Sequence, residues 1–91
     1  MPRIREIVWT TGFKRAFRKR LVGSLDKRLF EERLKTFVED PFDPRLKTHK
    51  LTGTLAGLWS FSITYDCRVI FKFQPDDKVV LIDIGQHDEV Y

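Results

Sequence analysis

Apolar residues recur along this chain with two different periods, and each change of period marks an element. In the segment 4–9, Ile4 and Val8 share one face and Ile7 and Trp9 the other, which predicts a short strand covered on both sides. Thr10 and Thr11 offer a capping hydroxyl. Phe13, Ala16, Phe17 and Leu21 then follow at helical spacing, predicting an amphipathic helix that ends near Gly23. Ser24 is placed to cap a second helix with Leu25, Leu29, Phe30, Leu34, Phe37 and Val38 on one stripe, and Pro41 stops it.

The stretch from Asp40 to Ala56, DPFDPRLKTHKLTGTLA, has no sustained period and is longer than most connections inside a compact domain, so it reads as a functional or mobile loop. Beyond Gly57, Trp59, Phe61, Ile63 and Tyr65 alternate with Leu58, Ser60, Ser62 and Thr64, the pattern of a half-buried strand. Asp66 and Cys67 form a bend or lead directly into a strand from Arg68 to Phe73. Gln74, Pro75, Asp76 and Asp77 make a turn by composition, and Val79 to Ile84 is a mostly buried strand ended by Gly85. The expected fold is α+β in the order β-α-α-β-β-β, a mainly antiparallel four-stranded sheet packed on a helical hairpin.

Composition narrows this further. At 91 residues, with 42% hydrophobic and 33% charged, the chain is one domain, 1–91, with enough large apolar groups for a single core. Its one cysteine, Cys67, closes no intrachain disulfide and makes no zinc site by itself. No apolar run reaches the roughly 20 residues that cross a bilayer, and the amino terminus lacks the apolar region of a signal peptide, so a cytoplasmic protein without membrane or cofactor is expected.

The net charge is +4, and it is concentrated. Nine basic residues against three acids lie between Lys14 and Lys35, so that segment alone is +6. Acids are absent from Phe13 to Leu25, which leaves the first helix with a basic stripe, including Arg15 and Lys19, able to follow a phosphate backbone.

The two histidines lie in suggestive settings. His49 sits between Lys47 and Lys50 in the long loop, and His87 follows Gly85 just past the last strand, where antiparallel pairing can bring it towards Arg68. Cleavage of RNA by its own 2′-hydroxyl needs a base for that hydroxyl, an acid for the leaving 5′-oxygen and fixed positive charge on the phosphorane, and no metal. Asp66, at the junction of two strands, is the candidate carboxylate, and the alternative is a turn residue. Asp83 reads as a buried acid paired with an Arg or a sheet-face residue, Cys67 as a small buried hydrophobe, and Tyr91 as a frayed end or an aromatic that stacks on a base.

With these residues in order, the chain resembles the RelE/ParE superfamily of toxin–antitoxin toxins, and particularly the RelE/YafQ-like ribosome-dependent mRNA interferases. The segments that carry the resemblance are the two N-terminal helices, HKLTGTLAGLWSFSI (49–63), YDCRVIFKF (65–73) and LIDIGQHDEVY (81–91). It implies an RNase-like fold and a metal-free endoribonuclease that enters the ribosomal A site, cuts mRNA and leaves a 2′,3′-cyclic phosphate or 3′-phosphate. By the same resemblance His49, Asp66 and His87 match the YafQ-like set, Arg68 the arginine that holds the scissile phosphate, and Tyr91 the terminal aromatic. Lys47 and Lys50 are expected to bind RNA. Ser62 departs from the pattern, because YafQ has a further histidine there, and the base stays open between Asp66 and His49. Expected partners are a cognate antitoxin, the ribosome and mRNA. Two other readings remain: a ParE-like toxin acting on DNA gyrase without nuclease activity, and a nucleic-acid-binding module without catalysis.

Overall fold

The structure, a computed structural model, describes residues 3–23 and 26–86. Its elements run β1 (Glu6–Trp9), α1 (Thr11–Gly23), α2 (Lys27–Glu39), β2 (His49–Lys50), β3 (Trp59–Ser62), β4 (Cys67–Gln74) and β5 (Lys78–Gln86), with short 3-10 turns at Pro44–Leu46 and Gly53–Leu55. The long loop is therefore built from ordered pieces. Its two-residue strand raises the sheet from the expected four strands to five, in the order β1-β5-β4-β3-β2. Pairing is antiparallel from β2 to β5, whereas β1 runs parallel to β5, a pairing that no tight turn can connect and that the intervening helices and strands span.

Both helices start where a side-chain oxygen can satisfy an open amide. Thr10 Oγ1 accepts from the Phe13 amide at 3.0 Å and donates to the Leu81 carbonyl at 2.8 Å, tying the start of α1 to β5. For α2 the cap is Asp26 in place of the expected Ser24, which lies outside the described residues; Asp26 Oδ1 accepts from the Arg28 and Leu29 amides at 2.9 and 3.2 Å.

The helices cover one face of the sheet. Phe13, Phe30 and Phe37 are fully buried there with Phe61, Val69, Phe71, Val79 and Leu81. Phe37 stacks on Phe61 at 4.3 Å and meets Phe71 edge-on at 4.9 Å, while Trp9 packs edge-on against Phe13 and Phe17 at 5.0 and 5.3 Å.

Leu81 and Ile84 are both buried in this core although an odd step along the strand separates them. A register shift between Ile70 and Phe71 reconciles the two: Phe71 pairs with Leu81 and Ile70 with Asp83, so Ile82 is an extra residue and the strand changes phase. Asp83, expected to be buried and paired with an arginine or a sheet-face residue, is half-buried at this bulge, and its Oδ1 accepts from the Ile84 amide at 2.8 Å. Gly85, expected to end the strand, lies buried within β5 directly opposite Arg68. Having no side chain, it leaves the shared face to its neighbour.

Candidate functional site

Cross-strand partners point to the same side of a sheet, so the register sorts the candidates. Lys50, Trp59, Phe71, Leu81 and Trp9 form one row on the helix-covered face. The opposite face carries His49 with Ser60, Ile70 and Asp83, and a second row of Ser62, Arg68 and Gly85. Adjacent residues of a strand alternate, which separates His49 from Lys50. The Lys50 ammonium instead lies 5.5 Å from the centre of the Trp59 ring.

Arg68 is half-buried, and its Nη1 donates to the Ser62 hydroxyl. Its Nε is buried without a partner among the described residues. The small serine lets the guanidinium lie down over β3, and Ser60 and Ser62 are buried as a result of cover on both sides of that strand, which sequence alternation reads as half-exposed. Around Arg68 opens a cleft lined by Arg33, Arg45, Lys47, Ser62, Thr64 and Tyr65.

Arg45 is held by Asp43 through Nε and Nη2 at 3.0 and 2.9 Å. Its guanidinium, with its own amide, keeps the half-buried Asp43 carboxyl at about 2, below the ordinary 3.8, and the carboxylate in turn raises Arg45. Among the described residues Arg33, Lys47 and Arg68 add further positive charge to the cleft, Arg33 also helping to lower the Asp43 carboxyl, and an anion is the ligand it suits. Lys47 adopts a left-handed backbone, φ 53, at the end of a 3-10 turn, and its carbonyl faces His49 Nδ1 at 2.9 Å. A carbonyl oxygen only accepts, so Nδ1 carries the proton and the lone pair of the neutral ring sits on Nε2.

Between β3 and β4 the chain bends over residues 63–66, and the bend is pinned at its base. The Ile63 and Thr64 amides donate to the Cys67 carbonyl at 2.9 and 3.3 Å, and the Cys67 amide returns a bond to Thr64 Oγ1 at 3.0 Å. Ile63 is buried and so is Cys67, while Tyr65 and Asp66 stand exposed at the tip. Asp66 lines a second cleft with Arg20, Asp26, Thr64, Cys67, Gly85 and Gln86. Thr64 lines both clefts, which therefore adjoin across it.

Of the residues singled out from sequence, Arg68 and Lys47 therefore share one cleft, and Asp66 occupies the adjoining one. His49 is exposed on the same sheet face beyond Ser60, whereas Lys50 is set apart with Trp59. Arg15 and Lys19 are exposed on α1 and line neither cleft. His87 and Tyr91 lie outside the described residues; Gln86, whose next neighbour in sequence is His87, is in the cleft of Asp66. Arg33 and Arg45 were not expected. The Asp-Pro-Arg turn is a local signal for Arg45, but nothing local marks Arg33 among the cations of α2. Among the described residues no three His, Cys, Asp or Glu side chains gather as a metal ion requires, and no helix is long and apolar enough to cross a membrane.

The family model described as bacterial toxin of type II toxin–antitoxin system, YafQ, matches residues 5–91. The chain belongs to the YafQ family of toxins. Among solved structures, YafQ from E. coli strain BL21(DE3) superposes with a TM-score of 0.81 at 18% identity, covering 96% of this chain and 98% of that one. A copper-bound mutant toxin from Helicobacter pylori gives 0.79 at 25% identity over 94% and 98%. The E. coli DinJ-YafQ toxin–antitoxin complex gives 0.77 at 18% identity over 96% and 97%. No curated protein matches the chain. The YafQ fold thus accounts for the mixed sheet and the helical hairpin together.

Proposed function

We propose that this YafQ-family toxin is a metal-free endoribonuclease that cuts mRNA on the ribosome and so blocks translation. One observation carries the reading: Asp66 and Arg68 flank the first residue of β4 on two clefts that meet at Thr64, one offering a carboxylate and the other a cluster of cations. A strand of RNA laid across Thr64 presents its 2′-hydroxyl to the first and its phosphate to the second.

In this scheme Asp66 or His49 takes the 2′-hydroxyl proton, and the oxygen attacks the adjoining phosphorus. Arg68, with Arg33 and Lys47, offsets the charge added at the phosphorane. His87 protonates the leaving 5′-oxygen. The Nδ1–H of His49, pointed at the Lys47 carbonyl, leaves Nε2 as the basic nitrogen, which suits His49 to the first role. Lys47, placed beside Arg68, takes the part that sequence order suggests for Lys50, whose ammonium lies over Trp59. Arg15, Lys19 and Lys50 serve as outlying contacts to ribosomal RNA, and Tyr91 as a stacking residue.

The toxin acts in the cytoplasm and is held inactive by a cognate antitoxin, as the solved DinJ-YafQ complexes suggest by analogy. The deciding experiment adds the purified chain to a reconstituted translation mix and reads the 3′-ends of the message. Cleavage with 2′,3′-cyclic phosphate or 3′-phosphate ends is expected. Intact message alongside inhibited gyrase supercoiling would overturn the nuclease reading and place the chain with gyrase-directed toxins.

A further inference from the structure

Tyr65 is 85% exposed, about twice the exposure of Phe42 at 43%, the other large apolar side chain left open to solvent among the described residues. It is not at a frayed end. The bend that carries it is closed by three hydrogen bonds at its base and anchored by buried Ile63 and Cys67, so the ring is displayed from a fixed backbone. It lines the cleft of Arg33, Lys47 and Arg68, and its chain neighbour Asp66 lines the other. An aromatic beside a cluster of cations is the combination that binds single-stranded nucleic acid, with phosphate on the charges and a base on the ring.

We infer that Tyr65 is a base-stacking residue for the nucleotide bound between the two clefts. The inference rests on the nuclease reading above and deepens it. In one nucleotide, the base, the 2′-hydroxyl and the 3′-phosphate are fixed to a single ribose. With the phosphate at Arg68 and the hydroxyl at Asp66, the base of that same nucleotide comes within reach of Tyr65, which lines the cleft of Arg68 and precedes Asp66 in the chain. Stacking uses the face of the ring and reads no hydrogen-bonding edge, so the contact accepts every base and favours purines for their larger area. A tyrosine at this place loses only two torsions on binding, and the pinned bend has already fixed the backbone.

The test measures the affinity of a short 2′-O-methylated oligoribonucleotide, which binds but cannot be cut, for the parent chain and for Tyr65→Ala, Tyr65→Phe, Tyr65→Trp and Arg68→Lys. It uses the oligonucleotide intact and with a single abasic residue moved along it. Tyr65→Ala is expected to weaken binding of the intact oligonucleotide by roughly 5- to 150-fold, with Tyr65→Phe and Tyr65→Trp close to the parent. One abasic position should weaken the parent by a similar factor and leave Tyr65→Ala unchanged. Binding by Tyr65→Ala within about twofold of the parent, while Arg68→Lys is impaired, would overturn the stacking role alone. No binding by the parent, whether the oligonucleotide is free or held on a ribosome, or full binding by Arg68→Lys, would overturn the nuclease reading and this inference with it. Because Tyr65 is exposed, its variants should melt with the parent, and circular dichroism checks this.

Discussion

Arg68 reaches back across the β3–β4 ladder to the Ser62 hydroxyl, the residue directly opposite it, while its Nε stays buried without a partner among the described residues. A serine at 62 therefore does something a bulkier side chain would not: it accepts from the guanidinium and leaves room for it. Ser62→Ala removes the acceptor and leaves a half-buried cation short of a partner. A loss of about 1–3 kcal/mol in urea unfolding is expected, together with reduced cleavage. Unchanged stability would show that the hydrogen bond contributes nothing.

Asp66 is exposed and outside the core, so Asp66→Asn should fold normally and separate chemistry from structure. If Asp66 is the base, turnover falls by roughly 10²–10⁴-fold with RNA affinity nearly unchanged. His49→Ala run in parallel identifies which of the two is the base. Single-turnover cleavage of a fluorescent message measures both, and parental rates in both variants would remove the pair from the mechanism.

Phe37, on α2, is fully buried against the sheet, stacked on Phe61 and edge-on to Phe71. Phe37→Ala opens a cavity at the junction of both sheet partners. The expected cost is about 3–5 kcal/mol by chemical denaturation, enough to leave a small domain largely unfolded.

The Asp43 carboxyl, held at about 2 by hydrogen bonds from Arg45, is depressed from its ordinary 3.8. A depressed carboxyl contributes its stabilisation fully above the unfolded value and loses it as pH falls from there towards about 2. Carbonyl-detected NMR should give a midpoint near that value, and Arg45→Gln should return it towards 3.8. A titration already in the ordinary range in the parent would refute the pairing.

Much of the architecture is legible in the sequence because it follows from local periods. The helical stripes of Phe13–Phe17 and Phe30–Phe37 and the alternation from Trp59 to Ile63 specify which sides face inward, and the turn at Asp76 and Asp77 is announced by two residues that tolerate the left-handed backbone they adopt. What is not legible depends on pairing at a distance. The two-residue β2 has no period of its own, the parallel partner of β1 lies some seventy positions away, and the extra residue Ile82 shows only in the register. The site follows the same division. Arg68 is visible from its neighbours in sequence, but the choice of Lys47 over Lys50 depends on strand alternation, and the separation of Asp66 from Arg68 depends on the bend at Thr64.

The strand order also governs when this toxin can become itself. β5, the latest-made of the described elements, lies between β1 and β4 and supplies partners to both. Until it emerges from the exit tunnel, the earliest strand has nothing to pair with and Arg68 has no Gly85 beside it. A nascent chain thus cannot complete the paired sheet, nor the face that carries Arg68 opposite Gly85, until its last described strand has been made.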